Sequence, residues 1–503
     1  MKTKTNLTRI LLFLLVSVFV LTAFAGCNKD DVDPKDTSTK EVDTSDGDYD
    51  ANGYLKDSLP NNLNYDYDEV TILGWTGAGA VSEFNIQNME GDEIEDSLFE
   101  RDSAVEERIK VEITYYLEAG DNKNIQNYKT AVENAIMDGK PYDIIMGYTR
   151  STAICATGGL LEDLGNLEDS YIDWKAPWWN QSIREKTSIG NSFFFTTGDI
   201  APSFVQMLYC VYFNADMVKD LGLTSPYTHV KNNTWTLNTM ATMVQNFYQD
   251  LNDNNSKDIG DKLALTGSHY GWPTLLHGCD IGNVVKDEST ETFIIDPALS
   301  GQKALGVMDI LATMVTLDNC YVGAGETECV NSFIAQNCLF TITESSTAAR
   351  YFSEVEFEYG CVPAPKYDAE QENYISTARQ PVTLVGISDG IKASRIGMIT
   401  ATMEALASES YRSVTPVAFD KIMQYQKSAS QDMADMLQLI RDTGWFDCGR
   451  IYAADISYLC DAPGTVLRDS PKQTWANYVN GTLNTTVKAQ VEKLNETLLN
   501  SLN

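Results

Sequence analysis

"NYKTAVENAIMDGKPYDIIMGYTRS", from Asn127 to Ser151, decides the fold. Its first half spaces apolar residues at helical intervals and stops at Gly139, which suits a helix C-terminus. Its second half, Tyr142 to Tyr148, is a short apolar run of strand type. The same alternation extends upstream. "KVEITYYL" (Lys110–Leu117) reads as a strand. "NMEGDEIEDSLFERDSAVEERI" (Asn88–Ile109) reads as a helix carrying Ile94, Leu98 and Val105, and "EVTILGW" (Glu69–Trp75) as a first buried strand. Strand, helix, strand, helix, strand implies a parallel sheet covered by helices. Ligands of such sheets sit beyond the carboxyl ends of the strands. Trp75 and the "GYTRS" stretch, with Tyr148 and Arg150, therefore fall where a ligand would be held.

Downstream, "SFFFTTGDI" (Ser192–Ile200) and "MLYCVYFNADMVKDLGL" (Met207–Leu223) read as two extended runs. A helix is expected over Thr234–Leu251 and another over Pro297–Thr316. "NCLFTITESS" (Asn337–Ser346) and "EYGCVPAPKYD" (Glu358–Asp368) read as strands with a turn-rich exit. From Gly397 to Leu502 the chain reads as mostly helical, and no internal repeat is found.

The N-terminus carries a different signal. Lys2, Lys4 and Arg9 precede an apolar run from Ile10 to Val20, followed by "LTAFAGCNKDD" (Leu21–Asp31). A basic head, a short greasy stretch and small residues before a cut site make a secretory signal. The run falls short of the roughly 20 residues that a membrane crossing needs. Cys27 directly after Ala25-Gly26 resembles the bacterial lipobox, with Phe24 where Leu is usual; the alternative is an ordinary signal peptide. Residues 28–66 are acidic, polar and poor in aliphatics, a composition that cannot offset its chain entropy and is expected to be a disordered tether. Its r.m.s. span would be about 35 Å.

A net charge of −34 excludes a nucleic-acid partner, which demands a basic face. Of ten Cys, nine remain after Cys27: Cys155, Cys210, Cys279, Cys320, Cys329, Cys338, Cys361, Cys448 and Cys460. They show no metal-binding spacing and are expected as small buried hydrophobes, with Cys320–Cys329 the one bridge considered. The three His, at 229, 269 and 277, form no HExxH, there is no phosphate loop, and "GSHYG" (Gly267–Gly271) is not a nucleophile elbow. His269 as a base and a carboxylate pair for glycoside hydrolysis stay open.

"TGGLLEDLGNL" (157–167), "YCVYFNADMVKDLGL" (209–223), "TWTL" (234–237), "CLFTITE" (338–344) and "YGCVPAPKYD" (359–368) occur in an order that resembles the extracellular solute-binding proteins of family 1. These are lipoprotein receptors of bacterial sugar importers. The resemblance implies an α/β, two-lobed fold of the type II periplasmic-binding-protein kind, each lobe a mostly parallel sheet flanked by helices, with a hinge crossed more than once. It implies this division: signal peptide 1–26, tether 27–66, N-lobe first segment 67–200, C-lobe first segment 201–345, N-lobe return 346–410, and a helical segment 411–503 completing mainly the C-lobe. It also implies a carbohydrate ligand, an ABC permease partner, a lipid anchor at Cys27 and a monomer. A surface-anchored polysaccharide-degrading enzyme and a receptor for a non-sugar solute are the alternatives.

Sugar binding calls for flat aromatic rings together with amides, carboxylates and Arg, and the chain has 25 Tyr and 8 Trp. The candidates are Trp75, Tyr148, Arg150, Asp199, Gln206, Trp272, Glu344 and Tyr458; the resemblance favours Tyr148, Arg150 and Glu344. Each aromatic has core packing as its alternative, Trp178 and Trp179 especially, and Arg150 and Glu344 could instead form a salt bridge between lobes. No cofactor is required. "DLNDNNSKDIGD" places Asp250, Asn252, Asn254, Ser256, Asp258 and Asp261 at positions 1, 3, 5, 7, 9 and 12 of an EF-hand-like loop. A structural Ca²⁺ is expected there, although position 6 is Asn255 rather than Gly and position 12 is Asp rather than Glu.

Overall fold

The computed structural model describes residues 49–502 apart from 318–319, 324, 424–429 and 471. The signal peptide, Cys27 and the first part of the tether lie outside the described residues. Residues from Tyr54 onward form one compact unit.

The chain first builds β1 (Asp68–Thr76), α1 (Glu93–Ile109), β2 (Val111–Ala119), α2 (Ile125–Met137), β3 (Ile144–Tyr148) and α3 (Thr149–Thr157). β1 runs parallel to β2 from Asp68↔Val111 to Thr76↔Ala119, and parallel to β3 on its other edge. The apolar runs of β1 and β3 are continuous because both of their faces are covered. Val70, Ile72, Ile144 and Met146 join Val105 and Ile109 of α1 in one core. Leu73, Trp75 and Ile145 point the other way, toward Tyr128 and Val132 of α2. That is the two-residue period of a strand. Asp92 caps α1 by accepting from the Ile94 and Glu95 amides.

The chain then enters a second sheet with β4 (Tyr209–Asn214) and β5 (Leu263–Gly267). After α4 (Gln302–Thr316) come β6 (Tyr321–Val322), α5 (Glu326–Ile334), β7 (Cys338–Glu344) and β8 (Tyr359–Val362). The sheet order is β8-β4-β7-β5-β6, with β4 antiparallel to both neighbours and β5 parallel to β7 and β6. Beyond β9 (Ser376–Thr377), β10 (Thr383–Ile387) returns to the first sheet as an antiparallel edge on β3. α6 (Ala393–Met423) then covers that sheet beside α1, and α7 (Gln431–Asp442) packs on β8. After β11 (Gly444–Trp445), α8 (Cys448–Ile451) touches α3. α9 (Ala462–Arg468) packs on α4 and β6, and α10 (Lys488–Asn500) reaches α3. Gly464 seats α9 against the loop at His269, where a Cβ would collide with the His269 carbonyl oxygen.

The segments passing between the sheets lie side by side. The Arg379 amide donates to Met207 O at 2.9 Å, the Ser376 amide to Thr443 O at 3.0 Å and the Ala378 amide to Trp445 O at 2.9 Å. β9 and β11 pair in parallel within this strap. The architecture is two α/β lobes joined by a multi-stranded connection.

Several expectations need correction. The tether does not extend to residue 66: Leu59 is buried, and Leu55, Leu63 and Tyr65 pack on the first core. Asp57 is gripped bidentately by Arg108 at 2.6 and 2.7 Å and by Ser408 at 2.6 Å. A few anchoring side chains hold a segment whose bulk composition reads as disordered. The return to the first lobe begins at β10 and not at 346, because β8 pairs with β4. Ser192–Ile200 forms isolated bridges instead of a strand, and the helix expected over 234–251 is confined to Leu237–Met243. Asn246 in a left-handed conformation and the Gln249↔Lys262 bridge turn the chain there. All nine cysteines after Cys27 are buried thiols, so the Cys320–Cys329 bridge is not formed.

Candidate binding site

The carboxyl ends of β1 and β3 bring Trp75 and Tyr148 together, their rings 5.3 Å apart. Trp75 is buried and its indole N–H donates to the Thr383 hydroxyl at 2.8 Å. Thr383 in turn donates to the carboxylate of Glu83, a buried acid that burial pushes up to about 7. Burial likewise pushes the Tyr148 phenol up to about 12, with Arg150 and Arg379 pulling in the opposite direction.

Arg150 lies in the first turn of α3, 7 % exposed. Its Nη1 donates to Asn122 Oδ1 at 2.6 Å, its Nη2 stands 3.9 Å from Asp461, and its guanidinium lies 4.8 Å from the centre of the Tyr458 ring. Tyr458 is half-exposed and, like Ser457, has a positive φ. Two successive non-glycine residues in that region cost on the order of 1–3 kcal/mol each, a strain that tends to collect at functional sites. A groove of about 400 Å³ opens beside them, lined in part by Tyr458, Asp461, Thr465 and Tyr478.

From the second lobe comes Glu344, at the end of β7 and paired in register with Tyr209 of β4. Its partner is Arg379 in the strap; that guanidinium also holds Glu326 at the start of α5, and Arg350 stands 3.6 Å from Glu344. Burial opposes the Glu344 charge, but Arg379, the Thr343 hydroxyl and Arg350 outweigh it and keep the carboxyl below its usual range. Glu326 moves the other way, raised by burial and then by the Glu344 charge. Two carboxylates on one cation cannot both ionise freely.

The two halves meet through α8 and the turn after it. Arg450 donates to Gln380 Oε1 at 3.4 Å, and Gln380 Nε2 reaches the Cys460 sulfur at 3.6 Å beside Asp461. Trp75, Tyr148, Arg150, Glu344 and Tyr458 are thus drawn to one polar seam. A direct Arg150–Glu344 salt bridge is not made, since each has another partner.

Three candidates lie elsewhere. Asp199 is buried beneath α6 and α7, bound by Arg441 at 2.7 Å and Thr415 at 2.6 Å, and is a structural ion pair. Trp272 is fully buried in the second lobe with its indole N–H on Gly267 O. Gln206 is buried where the chain crosses over, its carbonyl accepting from the Ser346 amide. Trp178 and Trp179 are core residues whose indoles share Glu404.

His277 is buried between Thr377 and Asn283, and burial, reinforced by Arg450, holds it well below its usual value. In the acidic loop Asp261 accepts from the Leu251 and Asp258 amides and the Tyr248 hydroxyl, while Asp258 accepts from the Asn252 and Asn254 side-chain amides. Those bonds close the loop on itself. No group of three His, Cys, Asp or Glu among the described residues is arranged to hold a metal.

Sequence reasoning missed Arg379, Glu326, Arg450 and Asp461. Each is an isolated charged residue with no motif around it, and only the fold assembles them.

No family model matches the sequence, and no curated protein matches it significantly. Solved structures do resemble it. A cyclo/maltodextrin-binding protein complexed with maltotetraose superposes with a TM-score of 0.52 at 11 % identity, over 87 % of this chain and 97 % of that one. An ABC substrate-binding protein from Listeria monocytogenes in complex with cycloalternan gives 0.50 at 12 % identity, over 87 % and 99 %. At such identities the likeness establishes the two-lobed substrate-binding-protein fold.

Proposed function

We propose that this chain is the substrate-binding component of an ABC importer. It captures a carbohydrate between its lobes and passes it on unchanged. The observation that carries this is the seam itself: aromatic rings from β1 and β3, guanidiniums and carboxylates from both lobes and a strained Tyr458, all converging beside a hydrogen-bonded strap. Ligand contacts to both lobes would favour the closed state, because a ligand shifts an equilibrium only by binding one state better. The two solved proteins named above are complexed with maltotetraose and cycloalternan, which supports an oligosaccharide as the ligand class. Export and acylation at Cys27, an extracytoplasmic position on the outer face of the cell membrane, a permease partner and a monomeric state belong to the same reading. Among the described residues no helix is long and apolar enough to cross a membrane. A structural Ca²⁺ held by the Asp250–Asp261 loop would stand apart from the capture site.

A second reading has one observation behind it. Glu344 and Glu326 share Arg379 while their affinities for protons are pushed apart, as in the acid and base of a glycoside hydrolase. Against it, Glu344 is buried and saturated by Arg379, Thr343 and Thr347. Isothermal titration with a panel of oligosaccharides, followed by chromatography of the recovered sugar, separates the two. Stoichiometric binding with intact sugar supports capture; released shorter products would establish the enzyme.

A further inference from the structure

The proposed capture site has an excess of buried, unused hydrogen-bond donors, and they belong to cations. Arg450 is 2 % exposed, and its Nε and Nη2 have no partner. Its one hydrogen bond from the side chain is the long one from Nη1 to Gln380, and the Tyr209 ring covers it at 5.8 Å. The acids around it are committed elsewhere. Asp447 accepts from the Asn283 backbone and side-chain amides and from the Arg450 amide, and Asp461 faces Arg150 and the Cys460 thiol. Arg150 is nearly as buried and its Nε is also unpartnered. Gln380, which accepts from Arg450, reaches the Cys460 sulfur, and Asp461 beside it faces Arg150, so both guanidiniums lie at one turn.

A buried hydrogen-bond donor without an acceptor is strongly unfavourable. Nε–H and Nη2–H form one edge of a guanidinium, two parallel donors spaced for the two oxygens of a carboxylate. On the acceptor side of the seam, Glu326 Oε1 alone among the Arg379-linked carboxylate oxygens lacks a partner, and its carboxyl is already shifted toward the protonated, neutral form. The imbalance therefore favours a ligand that brings negative charge. The acidic exterior of the molecule supplies no such attraction, so selection must be local to the seam.

We propose that the seam selects acidic sugars: an oligosaccharide carrying a uronic-acid carboxylate, which seats on the free edge of Arg450 with Arg150 on its other side. This rests on the carbohydrate-capture reading and narrows it. Lys would not replace Arg450, because a point charge lacks the paired donors.

Isothermal titration of the full mature chain against galacturonate and glucuronate oligomers, beside galactose and glucose oligomers of equal length, tests it. The expected result is at least tenfold tighter binding of the acidic series. Arg450→Met and Arg150→Gln should each reduce that preference at least tenfold. Arg450→Met should also leave the melting temperature unchanged or raised, because it removes two buried donors that have no acceptor. Equal or tighter binding of the neutral series would overturn the acidic selection while leaving capture intact. Binding of neither series would overturn the capture reading itself. An acidic preference that survives Arg450→Met, with a lowered melting temperature, would show Arg450 to be structural and overturn its assignment.

Discussion

Glu404 accepts the indole N–H groups of both Trp178 and Trp179, at 3.1 and 2.8 Å, inside the first-lobe core. Burial pushes its carboxyl from 4.5 up to about 7, against the pull of the two indoles. A raised acid binds its proton more tightly folded than unfolded, so stability falls as pH rises from about 4.5 to about 7 and levels off above. The loss is about 3 kcal/mol, since each tenfold difference in proton affinity is worth roughly 1.4 kcal/mol. Glu404→Gln should therefore flatten the dependence of unfolding free energy on pH between 5 and 8 relative to the parent, as read by urea titration; a slope unchanged by the substitution would show the carboxyl to be ionised throughout. At this scale the sequence was a partial guide. It put Trp75, Tyr148, Arg150 and Glu344 at strand ends, where the structure has them. It was silent on Arg379, Arg450 and Glu326, whose partners are distant in the chain and which carry no local pattern. Asp199 is buried in an ion pair with Arg441, and such a pair and a ligand-gripping acid look alike in one dimension.

At the scale of elements, the first lobe was legible because β1 and β3 are apolar runs, β2 is rich in strand-forming residues, and α1 and α2 carry one apolar face each. The C-terminal helices were legible in kind, but not their placement across α3, α4 and β6. The short helix at Leu237–Met243 was overextended, because Phe247 continues the helical spacing past the point where Asn246 breaks it. The strap's strands were missed for a different reason: two-residue strands such as β9 and β11 are held by neighbours and have no signature of their own. The segment 54–66 teaches the same lesson, since Asp57 and Leu59 hold it down within an otherwise polar stretch. Removing residues 54–66 should cost about 2 kcal/mol or more, combining the loss of Leu59 burial with exposure of the Arg108 fork. Comparing chains that begin at Tyr54 and at Tyr67 by chemical denaturation checks this. Equal stability would return the segment to the tether.

At the scale of the whole molecule, two sheets with separate strand orders are linked by a narrow strap, and the polar seam lies between them. Such a body can open by small changes in the strap while each lobe stays rigid, since packed cores move as units and connections absorb the motion. Charge belongs to this scale too: a net charge of −34 disfavours a nucleic-acid partner, while the seam concentrates arginines where the ligand would lie.

Small-angle X-ray scattering on the mature chain, with and without a saturating oligosaccharide identified by titration, is the most direct test of the clamp. The account predicts a smaller radius of gyration with sugar bound and full recovery of intact sugar. An unchanged radius on saturation, or sugar recovered in pieces, would contradict it.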